Sequence, residues 1–460
     1  MSKCLMIQGT SSDAGKSLLV SGLCRLYSNR GYKVTPFKSQ NMSLHSYTTK
    51  EGAEIAIAQV TQAKAARINP TADMNPVLLK PNGKYSSQVV IHGKTVGKKD
   101  FSKKEEDNKS DDTNNTDKEI VNKNNNTHNT NNKEIAKKAI EESLNRLKEE
   151  YDIIIMEGAG SPAEINLREG DLANMGVAEI ADANVLLVGD IDKGGVFASI
   201  AGTFLLLDDE DTQRFKGVII NKFRGNPDLL KSGTDKLEEI INVPVLGIIP
   251  YTSGLTLPKE DSSSIKDYFN NINNLDKNYK KLDDKKIIIG VLNLENISNY
   301  TELDPLAVEK DVEIRLIDIN EYTSLDGFDA IIIPDTIKPK EDARILIENN
   351  ITTKIKEVYD NINIVGLCSG YEVLKIVLDE ENNPKIIEEN PKIIGNDKHS
   401  AFYNFEIRKE FLNKLRVEKN LNENYEDVYG KMVDDSLNKL ANTIGENLNI
   451  EYIDKLIFDN

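Results

Sequence analysis

Apolar runs and helically spaced stretches alternate along most of this 460-residue chain. A short apolar run over residues 4–7 predicts a first strand. From Ser17 to Arg30, Leu18, Leu19, Val20, Leu23 and Leu26 recur at helical spacing, and Gly31 closes that helix. Residues 32–37 resume as a strand. Further apolar runs at 151–156, 184–189, 217–221 and 243–250 predict buried strands, separated by helical patterns. Residues 256–284 are polar, charged and Asn-rich, and read as a linker. A second alternating series begins at Lys286, with strands expected at 287–292, 312–317, 330–334 and 362–367. The tail after Phe405 is charged and helical in pattern. Strands alternating with helices predict an α/β chain with mostly parallel sheets. The expected organisation is a first domain over 1–255, a linker over 256–284 and a second domain over 285–460.

Residues 102–134 break the pattern. Ten Asn fall between Asn108 and Asn132, and only Ile120 and Val121 are apolar. Such a stretch buries too little surface to offset chain entropy, so a disordered insertion is expected, with a helix resuming over 134–149. The net charge of −17 argues against nucleic acid or an anionic membrane as partner. No run of 18 apolar residues occurs, and the N-terminal run reads as a strand rather than a signal peptide. The three cysteines, Cys4, Cys24 and Cys368, make a disulfide framework improbable and point to the cytoplasm.

The chemistry sits at the ends of predicted strands. Gly9-Thr-Ser-Ser-Asp-Ala-Gly15-Lys16-Ser17 follows the first strand and opens a helix, as a phosphate-cradling loop requires. Gly9, Thr10, Asp13, Gly15, Lys16 and Ser17 are its nucleotide-binding candidates. Lys16 would neutralise the β/γ-phosphates, and the Ser17 hydroxyl would reach Mg²⁺. Glu157 ends one strand and Asp190 and Asp192 follow another, where carboxylates can hold Mg²⁺. Asp192 is the candidate kept with Ser17 and Glu157, although spacing alone leaves Asp190 open. Asn221 stands where such folds often read the purine edge. Downstream, Gly366-Leu-Cys368-Ser-Gly370 places a cysteine on a tight strand-to-helix elbow, suited to attack on a carbonyl. Of four histidines, His128 lies in the insertion and His45 and His92 in the first domain, which leaves His399 as the base.

Longer blocks are more specific. Pro36-Phe-Lys38-Ser-Gln40-Asn41-Met-Ser43, Gln59-Val-Thr-Gln62, Met74-Asn75-Pro76, Asp192-Lys-Gly-Gly-Val-Phe197, Asn221-Lys-Phe-Arg224-Gly225 and Ile297-Ser-Asn-Tyr-Thr-Glu-Leu-Asp304-Pro-Leu306 resemble the cobyric acid synthase family. The resemblance implies a phosphate-loop domain similar to dethiobiotin synthetase, whose loop is also one residue wider than the standard motif. It implies a C-terminal class I glutamine amidotransferase-like, flavodoxin-like domain. It implies ATP- and Mg²⁺-dependent amidation of the b, d, e and g carboxylates of adenosylcobyrinic acid a,c-diamide, a corrinoid, with glutamine as nitrogen donor. Lys38, Gln40, Asn41 and Ser43 would bind substrate, and Cys368 and His399 would release ammonia.

Three departures stand beside it. The block around His399 keeps the family's glycine, histidine and phenylalanine, but three intervening residues differ. Only 31 residues separate Cys368 from His399, and the strands that normally lie between them are not apparent. Asp335 replaces a glycine whose N–H normally joins the oxyanion hole, and a carboxylate beside a developing oxyanion is unfavourable. Two alternatives follow: the same synthetase fed by free ammonia, with a decayed glutaminase domain, or a partition-type switch ATPase.

Overall fold

The computed structural model describes residues 3–81, 86–100, 119–258, 268–269, 286–320, 323–379, 390–396 and 398–459. The chain divides into two compact units: residues 1–43, 49–257 and 434–460 form the first, and residues 44–48 and 258–433 the second.

The first unit is built on β1 (Lys3–Gly9), α1 (Lys16–Asn29) and β2 (Val34–Phe37). β3 (Gln40–Met42) and α2 (Ile57–Ala65) follow, then β4 (Val77–Pro81), β5 (Ser86–Ile91) and β6 (Lys94–Asp100). Next come α3 (Glu119–Glu150), β7 (Ile153–Glu157), α4 (Met175–Ala181) and β8 (Asn184–Asp190). α5 (Val196–Leu206), β9 (Phe215–Phe223), α6 (Lys231–Ile241) and β10 (Val245–Pro250) complete the series. Six of these strands form one parallel sheet in the order β10-β9-β8-β1-β7-β2. Leu5, Met6 and Ile7, and Ile153 to Met156, are buried on both faces, as a parallel strand covered by helices requires. A smaller sheet, β3-β4-β5-β6, is mixed: β3 and β4 run parallel and the rest antiparallel. Residues 40–42 carry no strand signal in the sequence pattern. They form a strand because β4 offers them a ladder partner far along the chain, which no local pattern reveals.

Part of the expected insertion, residues 101–118, lies outside the described residues. α3 begins at Glu119 rather than near 134. Extending an existing helix adds one bond per residue, whereas starting one is costly, so the amphipathic stretch after 134 carries a polar stretch before it.

The second unit contains β11 (Ile287–Leu292), β12 (Val312–Ile317), β13 (Ala330–Ile333) and α7 (Pro339–Glu348). β14 (Asn363–Leu367), α8 (Ser369–Leu378), β15 (Ile393–Asn396) and α9 (Phe405–Glu418) follow. Its five strands are all parallel, in the order β12-β11-β13-β14-β15. This is the flavodoxin-like order, so the expected fold class holds for both units. β15 was missed in the sequence: four residues, with glycine among them, carry too little alternation to stand out. Within the expected linker, Phe269 is buried in the second unit's core and Tyr268 donates its hydroxyl to Asp304 Oδ1 at 2.6 Å. The rest of 259–285 lies outside the described residues.

The tail departs from expectation. α10 (Val428–Asn447) and α11 (Ile450–Phe458) end the chain, and residues 434–460 belong to the first unit, not the second. Arg25 Nη1 bonds Asp434 Oδ1 at 2.6 Å, and the Tyr27 hydroxyl bonds Asp454 Oδ1 at 2.9 Å. Ile444 packs so closely on Gly22 that a Cβ there would lie 2.1 Å from Ile444 Cδ1. The apolar spacing of Leu437, Leu440, Ala441 and Ile444 predicts an amphipathic helix but does not say which surface it covers. Among the described residues no helix is long and apolar enough to cross a membrane.

Ile444 is wholly buried against α1. Ile444→Ala should therefore cost about 2–5 kcal/mol of first-unit stability. Urea unfolding followed by a first-unit probe checks this; an unchanged midpoint would mean the tail is not integral to that unit.

Candidate active site

In the first unit the phosphate loop leaves the carboxyl end of β1. Gly15 takes φ +98°, a left-handed conformation, and a side chain there would strike Asn221 Nδ2 at 2.1 Å. The loop thus needs glycine for both backbone and space. Thr10 N–H donates to Val188 O at 2.9 Å, tying the loop to β8. Lys16 Nζ donates to the carbonyls of Ser11, Ser12 and Gly160 at 2.8, 3.1 and 3.0 Å. Its charge is thereby held across the mouth of the loop. Asp13 pairs with Lys193 at 3.0 Å.

Glu157 is the centre of this site. β7 and β1 are neighbours, so the end of β7 brings Glu157 beside the first turn of α1. Glu157 Oε1 accepts from Ser17 Oγ at 2.8 Å and from Lys38 Nζ at 2.9 Å, and Oε2 accepts from Gln62 Nε2. Burial pushes this carboxyl up, but the Lys38 charge and the three donors outweigh it and hold it below the usual range. Ser17 and Glu157 thus stand together, as expected. Lys38 pairs with the same carboxylate.

Other candidates are placed differently. Asp192 is exposed and pairs with Arg224 at 2.8 Å. Asp190 is the buried one of the two and accepts from Lys222 Nζ at 2.9 Å. Asn221 Nδ2 donates to Ala14 O at 2.9 Å and its Oδ1 accepts from Lys222 N–H at 2.9 Å. Through these two bonds Asn221 anchors the phosphate loop. In β3, Gln40 is half-buried, Ser43 is buried just beyond the strand, and Asn41 Nδ2 donates to Gln59 Oε1 at 2.9 Å. Gln59 Nε2 in turn donates to Gln62 Oε1 at 3.3 Å. A line of buried amides therefore runs from β3 to Glu157. The sequence reading gave Gln59 and Gln62 no role. The available signal was two glutamines three residues apart on one helix.

In the second unit three neighbouring strands deliver three groups to one edge: β13 leads to Asp335, β14 to Cys368 and β15 to His399. Cys368 has φ +47° and ψ −117°, the strained elbow the flanking glycines predicted. A Cβ on Gly370 would lie 2.2 Å from Ile333 O, so only glycine lets α8 start this close to β13. Cys368 N–H donates to Asn396 O at 2.6 Å, which carries β15 up to the cysteine. Cys368 Sγ then lies 3.3 Å from His399 Nε2, within the reach that a thiol and a base would need. The shortened stretch between them still supplies α8 and β15, and that suffices.

Several residues brace His399. Its N–H donates to Thr48 Oγ1 at 3.1 Å, and Ser400 Oγ donates to Ser46 O at 2.9 Å. Glu302 accepts from Ala401 N–H, holding the turn that follows His399. Asp335 has no left-handed backbone. Its Oδ1 accepts from Ser369 N–H at 3.1 Å, and its Oδ2 accepts from Ser298 Oγ at 2.6 Å. Sequence reasoning missed Thr48 and Glu302, whose partners are remote in the chain.

Fold and sites together define a phosphate-loop nucleotide-binding unit joined to a glutamine amidotransferase unit. Residues 5–265 match the CobQ/CobB/MinD/ParA nucleotide binding domain, and residues 288–392 match the CobB/CobQ-like glutamine amidotransferase domain. The second match ends before His399, so it is the structure that brings this histidine to the cysteine. The chain is 49% identical over 379 residues to the probable cobyric acid synthase of Methanothermobacter thermautotrophicus, covering 82% of this chain and 68% of that one. It is 38% identical over 528 residues to the cobyric acid synthase of Clostridium botulinum strain Loch Maree, covering 98% of this chain and 99% of that one. The chain belongs to the cobyric acid synthase family and is an enzyme of the ligase class. A relative that matches across both units leaves no support for a partition-type switch.

Burial, reinforced by the charge of Asp335, pushes the Glu302 carboxyl up from the ordinary 4.5 to about 8. The folded chain then holds a proton that the unfolded chain releases, so this group lowers stability as pH rises from about 4.5 to about 8. Glu302→Gln, which has no such proton to lose, should flatten that fall. Thermal unfolding of both proteins across the window is the check; parallel curves would contradict it.

Proposed function

We propose that this chain uses ATP and glutamine to amidate the b, d, e and g carboxylates of adenosylcobyrinic acid a,c-diamide, giving adenosylcobyric acid. The observation that carries the reading is a Cys368–His399 contact of 3.3 Å in a chain that also holds a phosphate loop. A cysteine–base pair has no use in a nucleotide switch, and it favours glutamine over free ammonia as nitrogen source.

A carboxylate is a poor electrophile, and transfer of a phosphoryl group from ATP gives it a leaving group. Lys16 sits at the mouth of the loop to meet phosphate charge, and the loop N–H groups supply the cradle. Ser17 and Glu157 would hold Mg²⁺: a hydroxyl and a carboxylate 2.8 Å apart are the hard oxygen donors that this ion takes. Lys38 keeps Glu157 ionised, and its charge lies where phosphoryl transfer develops negative charge. Gln40 and Ser43 offer neutral contacts to substrate carboxylates and amides, with Asn41 bracing them through Gln59. Asp192 is the weaker metal candidate, because Arg224 already neutralises it.

In the second unit Cys368 Sγ attacks the side-chain carbonyl carbon of glutamine. The S–C bond forms, the C–N bond breaks, and His399 passes the thiol proton to the departing nitrogen, which leaves as ammonia. Water then hydrolyses the thioester to glutamate.

Lys16→Ala should abolish product with either nitrogen donor; undiminished turnover at saturating ATP would sink the nucleotide assignment. Cys368→Ser should lose glutamine-dependent synthesis and keep ammonium-dependent synthesis. A steady-state assay with the diamide and each donor in turn reads both. If the unmutated enzyme accepts ammonium and ignores glutamine, the glutaminase reading fails.

A further inference from the structure

Asp335 stands where the family resemblance implies a glycine, and its surroundings give the carboxylate a use. Its carboxylate is buried, with Oδ2 3.5 Å from His399 Nδ1. That is long for a hydrogen bond and short enough for an ion pair with an imidazolium. His399 presents its other nitrogen, Nε2, to Cys368 Sγ. One ligand atom from each of Asp335, Cys368 and His399 falls within 4.8 Å of the other two. The histidine thus lies between a thiol and a carboxylate, one on each ring nitrogen. We propose that Asp335 is a positioning residue for His399, so that this chain works with a Cys368–His399–Asp335 triad whose acid comes from the end of β13. The proposal rests on the reading of Cys368 as nucleophile and His399 as base.

The neighbouring groups favour Asp335 for this part. The titratable groups around it are His399, Cys368, Glu302 and His45. Burial, with the Asp335 charge added, pushes Glu302 up to about 8, which keeps it protonated near neutrality. Burial lowers His45 to about 4, so it is neutral there. Asp335 is then the carboxylate whose charge faces the imidazole. Its other contacts fix its direction: Ser369 N–H on Oδ1 and Ser298 Oγ on Oδ2 hold the carboxylate plane. The same contacts have a consequence for the nucleophile. Ser369 N–H follows the cysteine and would otherwise be an oxyanion donor, so Asp335 takes up one donor while orienting the base. This geometry spends oxyanion stabilisation on thiolate formation. The property to measure is therefore the thiolate itself.

Alkylation of Cys368 by iodoacetamide forms an S–C bond and expels iodide, and it needs no oxyanion hole. Cys4 and Cys24 are buried and burial pushes both thiols up, so labelling read on the Cys368 peptide by mass spectrometry is specific. In the full-length protein, Asp335→Asn can keep the bonds to Ser369 N–H and Ser298 Oγ while removing the charge. It should move the alkylation–pH profile upward by about one unit, slowing the reaction about tenfold near neutrality. Asp335→Gly, the family residue, is the second variant and should show the same shift. Asp335→Glu should restore part of the rate. In a His399→Ala background, Asp335→Asn should add nothing. An unmoved profile in Asp335→Asn, or a shift that persists without His399, overturns the proposal: the carboxylate would then only block the Ser369 donor. If Cys368 in the unmutated protein alkylates no faster than an ordinary thiol, and His399→Ala changes nothing, it is the nucleophile assignment that fails.

Discussion

Parallel strand pairing is the constraint on which both sites depend. Neighbouring parallel strands end at one edge, and each needs a long crossover before the next can begin. Groups that are far apart in the chain are therefore delivered side by side. In the first sheet β7, β1 and β8 bring Glu157, the phosphate loop and Asp190 to a common edge. In the second, β13, β14 and β15 do the same for Asp335, Cys368 and His399. Neither site requires a long catalytic loop, because the sheet itself sets the spacing. This is also why so short a stretch between Cys368 and His399 still makes contact: one helix and one more strand in register return the chain to the same edge.

Burial of charge shapes the phosphate site. An ionised carboxylate out of water is costly unless every oxygen is engaged. Glu157 meets that demand with Ser17, Lys38 and Gln62, drawn from α1, the segment after β2, and α2. Lys38, itself buried, is satisfied by the same contact. Gln62 must then be held in its turn, which Gln59 and Asn41 accomplish. The two buried glutamines of α2, and the buried Asn41 of β3, follow from one buried acid.

The cysteine site is supported from several directions. Residues 44–48 fold with the second unit: Thr48 Oγ1 accepts from the His399 backbone N–H, and the Ser46 carbonyl accepts from the Ser400 hydroxyl. Asn299 Nδ2 also donates to Ser46 O, at 3.1 Å. Glu302, protonated near neutrality, secures the next turn.

The sequence alone determined the alternation of strands and helices, the two phosphate- and thiol-bearing turns, and the family blocks. Each is written locally: glycines where backbone must bend or approach, apolar runs where strands are covered on both faces. Strand limits such as Ile287–Leu292 and Val312–Ile317 were legible for that reason. The tertiary structure decided what depends on partners distant in the chain. It assigned the tail to the first unit, although the amphipathic face of α10 names no surface. It made residues 40–42 a strand, because β4 lies opposite. It turned Asn221 toward the phosphate loop and Asp192 toward Arg224, since a side chain at a strand end can face any of several neighbours. It also set Asp335 against His399, where spacing had offered only a misplaced charge. A pattern along one chain records how each residue meets an average environment; which particular group it meets is settled only when the sheets bring their edges together.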